Sequence, residues 1–189
     1  MIYELKTELR YRLCISSFLY DDGLVELDIC AKPDFEAYNN EIKDDCVVLD
    51  VDLLLSLLEL EGERQCYPMT CECGWAEDVG INAPLLYQIT DTEIYWDIPV
   101  EKYTDIIKAT YAEQGIDTLR LIFNKTDYSE TVVNLARKLK YLSENGIRRS
   151  ELIHYEGTRV EYSRSGEALL TMPEYAHIEV FQINVINPS

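Results

Sequence analysis

The 189-residue chain predicts an α+β fold, a mainly antiparallel β-sheet with two or three helices packed on it. Three observations carry that expectation. Several segments alternate apolar and polar residues with a period of two, two others show helical apolar stripes, and the helical stretches do not regularly separate the strands as βαβ units require.

Among the strands, "LVELDICA" sets Val25, Leu27, Ile29 and Ala31 against Glu26 and Asp28. "TEIYWDIP" separates Ile94, Trp96 and Ile98 from Glu93, Tyr95 and Asp97, and "PLLYQIT" just before it, with Asp91 and Thr92 at the turn, reads as its hairpin partner. "DTLRLIF" aligns Leu119, Leu121 and Phe123, while the closing "HIEVFQINV" is rich in β-branched and aromatic residues.

The stronger helix is "TDYSETVVNLARKLKYLSENG". Thr126 or Asp127 can cap it, Glu130 stands three beyond Asp127 as in a capping box, and Val132, Leu135, Ala136, Leu139 and Leu142 form the buried stripe. Asn145 and Gly146 supply a left-handed stop. A second helix, "DLLLSLLELEG", is apolar on most sides and should be short and largely buried. "VEKYTDIIKATYAEQG" fits a helix through Tyr103, Ile106, Ile107 and Tyr111, although its β-branched content also suits a strand. No repeat, low-complexity run or linker divides the chain, so residues 1–189 are expected to form a single acidic domain.

Charge is the most unusual bulk property: 17 basic against 35 acidic residues give a net charge of −18. Residues 1–100 hold 6 basic and 22 acidic residues, whereas residues 101–189 hold 11 and 13, so the field sits in the first half. Such a field repels phosphate backbones and attracts cationic proteins, which excludes direct nucleic-acid binding. Charges at Glu4, Lys6, Glu8, Arg10 and Arg12 rule out an apolar secretory h-region, and Asp50 and Asp52 interrupt the longest apolar run. A cytoplasmic protein follows, outside the membrane, with its six cysteines expected as reduced thiols.

Three of those cysteines, Cys66, Cys71 and Cys73, crowd into "CYPMTCECGWAEDVGI". As a metal site they need a fourth donor, from Cys46, Cys30, Cys14, His154, His177 or Asp78, and the C-x4-C-x-C run lacks paired C-x2-C knuckles. Buried thiols are the preferred reading and a metal site the alternative; neither a metal nor another cofactor is expected. No nucleophile elbow or phosphate loop occurs, and His154 and His177 lie in "IHYE" and "AHIE" without a triad partner, so no catalytic residue is assigned. The acidic pairs at 21–22, 44–45 and 49–52 read as solvated surface in a chain this acidic.

The segments "PMTCECGWAEDVGI", "IYWDIP" and "LRLIFNKTDYSETVVNLARKL" resemble a widespread, poorly characterised bacterial family of small proteins with a T-C-x-C-G-x-x-x-C-x-G-I core, followed by a strand Trp and by a Phe and Tyr leading into a helix. Thr70, Cys71, Cys73, Gly74, Gly80, Ile81, Trp96, Phe123 and Tyr128 fall on that pattern over about residues 45–145. Asp78 replaces its last cysteine, which removes a soft ligand. By size and acidity the resemblance implies an immunity-type protein.

Together these features lead to the expectation of a non-enzymatic immunity protein, of the kind used in contact-dependent inhibition, that occludes a cationic bacterial toxin such as a nuclease. Its binding ridge is expected at Glu59, Glu61, Glu63, Glu72, Glu77 and Asp78. The alternatives are a cysteine-ligated metal protein and an interaction module whose acidity serves solubility alone.

Overall fold

The structure, a computed structural model, describes residues 1–19, 25–39, 47–71, 74–144, 148–149 and 179–182. The strands are β1 (Ile2–Lys6), β2 (Tyr11–Leu19), β3 (Val25–Pro33), β4 (Val47–Leu49), β5 (Gly62–Cys66), β6 (Met69–Cys71), β7 (Leu85–Ile89), β8 (Glu93–Pro99), β9 (Thr118–Asn124), β10 (Arg148–Arg149) and β11 (Glu179–Gln182). The helices are α1 (Val51–Leu57), α2 (Ala109–Glu113) and α3 (Lys125–Glu144).

The fold is α+β with mostly antiparallel strands. A five-stranded sheet runs in the order β1-β9-β8-β7-β5, a four-stranded sheet in the order β10-β3-β2-β11, and β4 pairs with β6. Within the larger sheet only the β1–β9 pair is parallel.

The alternation in β8 is realised residue by residue: Ile94, Trp96 and Ile98 are fully buried, and Glu93, Tyr95 and Asp97 are half-buried on the other side. Cross-strand pairing extends the pattern, because Trp96 stands opposite Tyr87 on β7 and Leu121 on β9. The inner face therefore collects large apolar groups. Trp96 meets Phe35, Phe123 and Tyr128 edge-on, at ring-centroid distances of 5.5, 5.4 and 6.3 Å. Such pairs favour their T-shaped geometry by about 0.5–1.5 kcal/mol beyond area burial.

Helix α3 closes this face with the expected stripe, Val132, Leu135, Leu139 and Leu142 fully buried and Ala136 partly so. It starts earlier than the sequence suggests. Asn124 Oδ1 accepts from the Asp127 backbone N–H at 3.1 Å, so the last residue of β9 caps the helix in place of Thr126 or Asp127. The expected Asn145–Gly146 stop lies outside the described residues. Helix α1 is short, as anticipated, but only one side of it is buried: Val51, Leu54 and Leu57 face the core while Asp52, Leu55 and Ser56 are exposed. Asp50 of the "LDVD" pair is its N-cap, accepting from Leu53 N at 2.9 Å.

Residues 100–116 depart from a continuous helix. They form a 3-10 turn at Val100–Lys102, an irregular stretch, and the short α2. Tyr103, Ile106 and Ile107 are buried as expected, but their backbone is claimed by another segment: Asn39 N donates to Ile106 O at 2.6 Å and Lys108 N to Ala37 O at 3.1 Å. These tertiary bonds compete with an i to i−4 ladder and replace it. Strand β1 was not anticipated; it adds to the edge of β9 through the Ile2↔Thr118 to Lys6↔Ile122 register. Among the described residues no helix is long and apolar enough to cross a membrane.

Two substitutions test this packing by urea denaturation. Asp50→Ala is expected to lower stability by about 1 kcal/mol through loss of the α1 cap, and Leu135→Ala by about 2–5 kcal/mol through a cavity beneath α3. A wild-type midpoint for either variant contradicts the corresponding contact.

Candidate functional site

The cysteine-rich stretch folds as a tight, fixed corner. Cys66 ends β5 opposite Leu85, and Met69–Cys71 pair with β4. Gly74 N then donates to Cys71 O at 2.9 Å and Cys71 N to Trp75 O at 3.0 Å. A 3-10 turn at Glu77–Val79 ends at Gly80 in the left-handed region, φ 77°. A Cβ at that position would also collide with the Asp105 carboxylate, so only glycine fits.

The chemistry of this corner differs from the expectation of six reduced thiols. Cys14, Cys30 and Cys66 are buried, reduced thiols, but Cys71 is disulfide-bonded, its partner lying outside the described residues. The Cys71 Sγ to Asp78 Oδ2 approach of 3.9 Å is therefore a contact and not a hydrogen bond, since a disulfide sulfur carries no proton. Burial pushes the Cys66 thiol up to about 11, opposed by Arg64 and reinforced by Asp50. The bonded Cys71 leaves one of the three proposed metal ligands without a thiolate, and Cys73 lies outside the described residues. Among the described residues no cluster of three His, Cys, Asp or Glu side chains is placed to hold an ion. Cys66 lies within electrostatic reach of Tyr87, Tyr103 and Tyr128, whose phenols are all raised above 10.0, chiefly by burial.

The expected acidic ridge is distributed over separate elements. Glu59 and Glu61 are exposed between α1 and β5, Glu63 is exposed on β5, and Glu77 and Asp78 are exposed on the 3-10 turn. Glu72, His154, His177 and the pairs at 21–22 and 44–45 lie outside the described residues. Glu63 stands opposite Gln88 in the large sheet, whereas the 3-10 turn runs into Asn82, whose N–H donates to Lys102 O at 3.0 Å.

Sheet register instead assembles residues that linear reading kept apart. On the face opposite Trp96, one row crosses all five strands as Lys6, Ile122, Tyr95, Gln88 and Glu63. The next row is Glu4, Arg120, Asp97, Leu86 and Gln65. The described helices α1 and α3 pack on each other at the core side, leaving this face uncovered by them.

Hydrogen bonds hold the rows still. Arg120 grips Asp97 through Nε and Nη2, both at 2.7 Å, lies 3.6 Å from Glu4, and stacks 5.3 Å over the Tyr95 ring. This bidentate pairing raises the Arg120 guanidinium further above its ordinary value. The Tyr95 hydroxyl donates to Glu93 at 2.5 Å, which raises its own proton affinity, and Gln88 Nε2 donates to Glu63 at 2.9 Å. In the sequence this surface was signalled by the polar half of the β8 alternation, Glu93, Tyr95 and Asp97, and by Glu63 of the expected ridge; Glu4, Arg120 and Gln88 gave no signal.

On the helix side of the sheet, a shallow groove of about 650 Å³ between residues 9–11 and α3 gathers Arg10, Arg137 and Lys138 around Asp34. Lys138 sits 3.5 Å from the Tyr11 hydroxyl. Comparison with known proteins finds no matching family model, curated protein or solved structure.

The thiol and phenol environment sets a pH dependence. Folded Cys66 keeps its proton up to about 11 while the unfolded thiol releases it near 9.0, so the unfolded state binds fewer protons between those values and stability falls as pH rises. The buried Tyr87, Tyr103 and Tyr128 add to the same slope. The urea midpoint is expected to decline from roughly pH 9 to roughly pH 11, and iodoacetamide should leave Cys66 unmodified in the native state at neutral pH. A midpoint that rises over that range contradicts the assignment.

Proposed function

We propose that this chain is a non-enzymatic inhibitor, a cytoplasmic immunity protein that binds and occludes a cationic bacterial toxin, a nuclease by preference. The carrying observation is the concentration of charge: 22 of 35 acidic residues against 6 of 17 basic ones in residues 1–100. That field is displayed to solvent, as the exposure of Glu59, Glu61, Glu63, Glu77 and Asp78 shows.

A nuclease needs a basic cleft to hold its phosphate backbone. An acidic protein is drawn to that cleft by the same field, and once seated it excludes substrate by volume alone. The family resemblance supports this reading through size and acidity. It competes with a plain interaction module, whose acidity would have no bearing on association rate.

The experiment is association kinetics, by surface plasmon resonance, with the product of the gene adjacent to this chain's own. Steered binding predicts an association rate that falls by roughly tenfold or more between low and high salt, together with loss of the toxin's activity in the complex. Absence of binding ends the proposal, and a salt-independent rate favours the interaction module.

A further inference from the structure

We infer that the face of the five-stranded sheet that α1 and α3 leave uncovered is the docking surface for a basic protein partner, with Glu63 on its β5 edge and Glu93 and Tyr95 on β8 as the contacting groups. This rests on the inhibitor reading and adds the surface to it.

A sheet face whose far side is sealed by an aromatic layer is held in one register by that layer, suited to a preformed interface. Its side chains are already ordered by the Arg120–Asp97 fork and the Arg120–Tyr95 stack, so little conformational entropy is left to lose on docking. An aromatic ring stacked beneath a guanidinium is also the kind of group that dominates interface energetics.

Charge selects the occupant. The two rows and Glu93 carry four carboxylates, Glu4, Glu63, Glu93 and Asp97, against two cations, Lys6 and Arg120. Arg120 is committed to Asp97. Glu63 and Glu93 are each positioned by a neutral donor, the Gln88 amide and the Tyr95 hydroxyl, which orients the carboxylate and leaves its charge uncompensated. Two strand spacings, about 10 Å, separate β5 from β8, so arginine or lysine side chains on a basic surface can reach both. A second copy of this chain is a poor occupant, because each copy carries −18 and would set carboxylates against carboxylates. The basic groove at Arg10, Arg137 and Lys138 lies against α3, and Arg10 meets the face only beside Lys6 at its β1 edge, opposite the β5 edge that carries Glu63.

The test compares two charge reversals in the full chain against the product of the adjacent gene: Glu63→Lys with Glu93→Lys on the face, and Glu77→Lys with Asp78→Lys on the 3-10 turn. The face pair is expected to raise Kd at least about 30-fold, and the turn pair less than about 3-fold. Should the face pair fail to fold, Glu63→Gln with Glu93→Gln is expected to weaken binding about 5–10-fold without introducing charge. Wild-type affinity in the face variants, with the toxin still neutralised by the parent chain, overturns the docking surface and leaves the inhibitor reading standing. No binding by the parent chain overturns both. A parent dimer that the face pair dissociates makes a second copy the occupant, and overturns the inference as well.

Discussion

Everything in this structure depends on the register of the central strand β8. With Trp96 facing inward, edge-on to Phe35, Phe123 and Tyr128, every neighbouring position is committed: Tyr87, Leu121 and Leu119 to the core, Tyr95, Gln88 and Arg120 to the opposite face. A slip by one residue would turn the indole to water and three polar side chains into the aromatic layer. Because one face is dry, the register is strongly specified, and the composition of the other face follows from it without a separate folding constraint.

That division explains how so acidic a chain supports a well-filled core. Among the described residues no carboxylate belongs to the buried interior, which is built almost wholly from aliphatic and aromatic groups, with Thr70 as its buried polar residue. Like charges gathered on one half of a fold weaken it somewhat, and a surface arranged this way trades some stability for an electrostatic field. The pairing of Arg120 with Asp97 keeps the face ordered at its middle, while Glu63 and Glu93 keep their charge at its β5 and hairpin end.

Much of the fold was legible in the sequence because it is written in local periodicity. β7, β8, β9 and the buried stripe of α3 follow directly from spacings of two and of three and four. Residues 100–116 were not, since hydrogen bonds from residues 37–39 override their helical pattern and no local signal announces a distant competitor. β1 was missed because it is an exposed edge strand with little burial to pattern it. The candidate site was the least legible. Glu4, Glu63, Gln88, Glu93 and Arg120 span more than a hundred positions and become neighbours only through strand pairing, whereas Glu77 and Asp78, close to Glu63 along the chain, belong to another element. The oxidised state of Cys71 was equally invisible, since spacing does not report which thiols meet.

Hydroxyl-radical footprinting of side chains, with and without the basic partner, tests the central claim most directly, because it reads the accessibility of the face itself. Tyr95 and Leu86 are expected to lose reactivity in the complex, while the exposed Trp75 and Tyr141 label as in the free chain. Unchanged labelling at Tyr95 and Leu86 with protection at Trp75 would place the partner on the cysteine corner and contradict the account.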